Sequence, residues 1–188
     1  MSTSMSEQTN ALSPILAPLD EQEARAAVDL VRQHLGRELS DDHRFLGVEL
    51  RIDKPSQVGE VPRRVVSVIV VDYAKRHTIE ARVEMHSQAV HTTHLGSVQV
   101  AFTDEEIAEA RSIAEKDSRV ARFAQMQGGF VSEFGPDRAA DNSRRVGLRY
   151  AVVKDGRPSA VLAHAVVDLS TRSLIGFTAS GAQERLGG

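Results

Sequence analysis

Residues 144–177, RRVGLRYAVVKDGRPSAVLAHAVVDLSTRSLIGF, decide the fold. Val146, Leu148, Tyr150 and Val152 alternate with Arg145, Gly147, Arg149 and Ala151, the period of two that buries one row of a strand and wets the other. Asp155-Gly156 accepts the positive φ of a primed two-residue turn. Val161, Ala163, Ala165 and Val167 form the next row, and Ser170-Thr171-Arg172 turns the chain into a short last strand, Leu174 to Phe177. Three antiparallel strands are expected here.

Upstream, helices and strands arrive in the same order twice. Asp20 is placed to cap a helix with Glu23 in its first turn, and Ala24, Ala27, Val28, Val31 and Leu35 recur at helical spacing until Gly36 offers a stop. Leu46, Val48, Leu50 and Ile52 alternate as a half-buried strand, and 54–62 reads as a loop. The run 64–73 is apolar on both faces and therefore central; Ile79, Ala81, Val83 and Met85 alternate next, with a further strand near 88–94. Thr103-Asp104-Glu105-Glu106 is a capping box opening a second helix with the stripe Ile107, Ala110, Ile113 and Ala114. Asp117-Ser118 starts a short helix that Gly128-Gly129 is expected to end, before strand and loop over 130–143. The fold class is α+β: two tandem units, each a helix packed on an antiparallel sheet, spanning 14–97 and 98–180, with polar tails at 1–13 and 181–188.

The composition narrows the function. The 188 residues are 41% hydrophobic and 4% aromatic with no Trp, so burial rests on aliphatic side chains. A net charge of −3 with interspersed signs argues against a nucleic-acid surface. With no Cys, disulfides, thiolate metal sites and cysteine nucleophiles are excluded. The start carries no secretory pattern and no run is long enough to span a bilayer, so a cytoplasmic protein is expected.

Pro18-Leu19-Asp20 followed by Glu-Gln-Glu-Ala resembles the opening of the N2 domain of copper amine oxidases. His43 to Leu50 resembles that domain's first strand, Thr92 to Gln99 the linker into N3, and Leu148 to Leu169 the closing hairpin of N3. The resemblance covers nearly all of 16–178 and implies that each unit is cystatin-like, a helix wrapped by an antiparallel sheet. The oxidase chemistry does not carry over. The family's cofactor tyrosine lies in an Asn-Tyr-Asp/Glu setting, whereas Tyr73 and Tyr150 lie in Asp-Tyr-Ala and Arg-Tyr-Ala; a His-x-His copper pair is replaced by His91-Thr-Thr-His94. The family's catalytic domain follows N3, and here the sequence ends at Gly188.

Three clusters are candidates for chemistry. Glu84, His86, His91 and His94 suit zinc or copper if adjacent strands bring them together, Glu84 and His86 being roughly 7 Å apart on one strand face; the alternative is a solvated face. Otherwise no cofactor is expected. Arg145 and Arg149, with Arg144 beside them, lie opposite the Val146 row, where they suit a carboxylate or phosphate, or form a charged face or interface rim. His164 shares a face with Asp168 but at roughly 13 Å, too far for contact, and no nucleophile elbow accompanies it, so a partly buried or interface histidine is expected. No residue is assigned a catalytic role, and whether the chain is an enzyme stays open. The leading expectation is a non-catalytic interaction or accessory module partnering a separately encoded enzyme, or a second copy of itself, through strand edges. The alternative is a small-molecule-binding protein or enzyme using the concave sheet face beneath a helix, with metal binding at the histidines third.

Overall fold

In the computed structural model the described residues are 16–53, 62–96, 100–125, 129–134, 141–154 and 157–179. The elements are α1 (Glu21–Leu35), β1 (His43–Asp53), β2 (Arg63–Asp72), β3 (His77–Glu84), β4 (Ala89–His94), α2 (Asp104–Ala114), α3 (Ser118–Ala124), β5 (Gly129–Phe134), β6 (Arg145–Lys154), β7 (Arg157–Asp168) and β8 (Ser173–Ala179). The protein is α+β, with two four-stranded antiparallel sheets ordered β1-β2-β3-β4 and β5-β6-β7-β8. Two compact units result: Met1–Asp72 with His77–Leu95, and Tyr73–Arg76 with Gly96–Gly188. The second unit thus includes the turn that links β2 to β3. The expected tails 1–13 and 181–188, the 54–61 part of the expected loop, and the Asp155-Gly156 turn lie outside the described residues, although Lys154 pairs Arg157 across that turn.

In the first unit Asp20 caps α1, its side chain accepting from the Glu23 amide at 2.7 Å. The apolar stripe Ala27, Val31 and Leu35 is at most 1% exposed and packs on Val66, Val68, Val70, Ile79, Ala81 and Val83. These side chains fill the space directly beneath α1. Gly36 follows α1 at φ −56°, not in the left-handed region; a Cβ there would lie 2.9 Å from the Arg32 carbonyl oxygen, so close approach is what its lack of a side chain permits. The outer face of β2 is also buried at Val65, Ser67 and Val71, on a sheet face that carries the charged side chains of Arg51, Glu80 and Arg82.

In the second unit the buried apolar residues include Ala110, Ala114, Val120 and Phe123 from the helices and Val146, Leu148, Tyr150, Ala163, Ala165 and Val167 from the sheet. Two sequence readings are corrected. The buried stripe of α2 is Glu106, Ala110 and Ala114, while Ile107 and Ile113 are only half-buried. The short helix ends at Ala124 with Gln125 as its cap, and Gly129 opens β5 instead of stopping the helix.

Tyr150 carries a buried hydroxyl that has no hydrogen-bond partner among the described residues. Burial, reinforced by the charge of Glu115 and opposed by Arg111, pushes the phenol up to about 12. Removing an unmet buried hydroxyl removes a desolvation cost, so Tyr150→Phe is expected to raise stability by about 1 kcal/mol. Chemical denaturation checks this, and a loss of stability would contradict it.

Candidate functional site

The most completely built polar cluster is buried in the second unit. Glu106 (0% exposed) and Arg144 (4%) form an ion pair beside the buried Tyr73. Thr103 and Glu106 make the reciprocal capping box, with the Glu106 amide donating to Thr103 Oγ1 at 3.2 Å and the Thr103 amide donating to Glu106 Oε2 at 3.0 Å. Arg144 Nε donates to Glu106 Oε1, and its Nη2 donates to Oε2 at 2.7 Å. The Tyr73 hydroxyl donates to Oε1 at 2.6 Å. Glu106 thereby accepts four hydrogen bonds, as many as a carboxylate has lone-pair sites. The other guanidinium donors reach the carbonyls of Val100 (3.1 Å) and Ala101 (2.9 Å), and the Phe102 ring lies 4.4 Å from the Arg144 guanidinium carbon. Burial pushes the Glu106 carboxyl upward, but the hydrogen bond and charge of Arg144, then the Tyr73 and Thr103 bonds, outweigh it and hold the group below its ordinary value.

The arginine part of this clamp recurs in the first unit with the same donors on the same kinds of acceptor. Arg64 Nε and Nη2 donate to Glu23 Oε1 and Oε2 at 2.9 and 2.6 Å, Nη1 reaches the carbonyl of Ala17, and Nη2 that of Pro18 at 3.2 Å. Glu23 and Glu106 each stand three residues after the helix cap, and the two carbonyls lie three and two residues before it. In both cases a planar arginine fork ties the segment leading into the helix to a central strand of the sheet, Arg64 from within β2 and Arg144 from the residue before β6. Hydrogen bonding to Glu23, partly countered by desolvation, raises the Arg64 pKa further above its already high value.

The histidines do not converge. Glu84 ends β3 and is held by Ser87 and Arg63, while His86 lies in the β3–β4 turn and not on the strand with Glu84. His91 pairs opposite Arg82 on the outer sheet face; His94 pairs opposite Ile79 on the inner face and meets the His77 ring edge-on at 5.5 Å. Among the described residues no three His, Cys, Asp or Glu side chains group so as to hold a metal ion.

Arg145, Arg149 and His164 share the outer face of the second sheet. Arg149 pairs directly opposite His164, and Arg145, opposite Asp168, forms a salt bridge with Asp141 at 3.3 Å. Arg144, their neighbour in sequence, does not join these cations and is buried in the Glu106 clamp. Asp168 is buried and accepts from the Ser170 amide at 2.8 Å.

Strand β8 is an edge of its sheet. Phe177 on its inner face lies 5.9 Å from Phe123 of α3, with the Arg119 guanidinium over its ring at 5.6 Å. Ile175 stands where the β7–β8 register slips and is 47% exposed. Among the described residues no helix is long and apolar enough to cross a membrane.

No family model and no curated protein matches the sequence. Among solved structures, the Bacillus megaterium YpeB C-terminal domain is similar over 86% of this chain, at 9% identity and a TM-score of 0.25. This chain spans 63% of that one's length, and a likeness of this size carries no argument about fold or function.

Proposed function

We propose that the chain is a non-catalytic interaction module of two tandem cystatin-like units, resembling the N2 and N3 domains of copper amine oxidases, that serves as accessory subunit to a separately encoded enzyme. The observation that carries this reading is the edge of β8, where Ile175 presents apolar surface beside backbone groups that no described strand pairs. The saturated Glu106 fits the same reading, because a carboxylate with every acceptor site filled holds structure and has no site left for a substrate's proton. The repeated arginine clamp supports descent of the two units from one.

The experiment is capture of partners by the full chain from its own cells, with wild type and Ile175→Lys compared. A charge on an exposed edge residue leaves the core intact, so the variant is expected to keep the wild-type unfolding temperature and to lose roughly nine-tenths of the captured partner. Equal capture by both forms would overturn the assignment of the β8 edge.

A further inference from the structure

The first unit offers a different surface. Strand β1 is the edge of the first sheet, and among the described residues it pairs with β2 alone. Beside it an open groove of about 510 Å³ runs between α1 and β1, with Ala24, Val28 and Val48 as its apolar floor. Ile52 lies on the same sheet face as Val48, and it is 39% exposed. Along the groove α1 carries Glu21, Arg25, Asp29 and Arg32, an order of charges that alternates minus, plus, minus, plus.

That alternation is self-complementary. Turned about a two-fold axis perpendicular to the sheet, a second α1 runs antiparallel and presents plus, minus, plus, minus, so that Arg25 meets the second copy's Asp29. The same operation sets β1 antiparallel to a second β1. In a register centred on Leu50, Val48 falls opposite the second copy's Ile52, and Glu49 opposite its Arg51. The exposed isoleucine is then covered, the unpaired edge is satisfied, and each cross-strand charge pair is of opposite sign. We infer that a second copy of this chain occupies the β1 edge, making one eight-stranded sheet with the two α1 helices side by side. This stands apart from the accessory-subunit reading, which concerns β8, and either can fail alone.

Sedimentation equilibrium on the full chain tests it. The wild type is expected to associate from the 20.5 kDa chain to twice that mass. Arg25→Glu and Asp29→Arg each create two like-charge meetings per dimer and are expected to weaken it roughly tenfold, while the combined variant restores wild-type association. Restoration separates pairing across the axis from any effect on the helix, and Ile52→Lys, at an exposed position, is expected to abolish the dimer with folding unchanged by circular dichroism. A monomer at millimolar concentration, a dimer indifferent to the single reversals, or no restoration in the combined variant would overturn the proposal.

Discussion

Replacing Glu106 by alanine is expected to destabilise the chain by about 3–5 kcal/mol, because it strands the Arg144 guanidinium in the interior without its anion. Arg144 is 4% exposed, and the carboxylate it would lose also receives Tyr73 and the Thr103 amide. Removing both charges is a different experiment. Glu106→Leu combined with Arg144→Met leaves no ion to desolvate and is expected to fall within about 1 kcal/mol of the wild type or above it. In the first unit the equivalent pair is wetter, with side chains 17% and 18% exposed, so Glu23→Ala should cost less, roughly 1–3 kcal/mol. Denaturant unfolding of the four proteins decides; equal losses at Glu23 and Glu106 would contradict the role given to burial. The pH dependence follows from the lowered Glu106 value: its stabilisation is full above the ordinary glutamate range and is lost as pH falls through the depressed folded value. The Glu106→Ala profile should lack that acid limb.

Leu35→Ala is expected to cost about 2–5 kcal/mol, as a large buried aliphatic side chain is replaced by a cavity the sheet cannot close. Leu35 is 1% exposed in the last turn of α1 and belongs to the cluster with Val66, Val68 and Val70. Val31 and Ala27, the other buried residues of the stripe, lie one and two turns earlier. The denaturant midpoint checks this, and a loss under about 1 kcal/mol would mean that α1 packs more loosely than described.

The strands were legible because their alternation is clean: Val146, Leu148 and Tyr150 are buried as the period of two requires, and β2 is apolar on both faces as an interior strand should be. Thr103 and Asp20 announced both helix starts. The clamp was not read, although its signal was present. Arg144 has the same parity as Val146, Leu148 and Tyr150, so the rule that buried that row placed the arginine with it. Glu106 likewise lies four and eight residues before Ala110 and Ala114 on the buried stripe. Charge overrode periodicity in the reading, and only the pairing of the two ions, 38 positions apart, makes their burial tolerable. The histidines lie apart because a turn takes His86 off the strand and strand alternation, visible in the spacing, sends His91 and His94 to opposite faces.

The central claim is that this chain acts by holding another protein, and native mass spectrometry of the assembly purified from its own cells tests it most directly. The account predicts a stoichiometric second polypeptide bound to the 20.5 kDa chain and displaced by Ile175→Lys. The chain appearing only as itself, or as copies of itself, would contradict it.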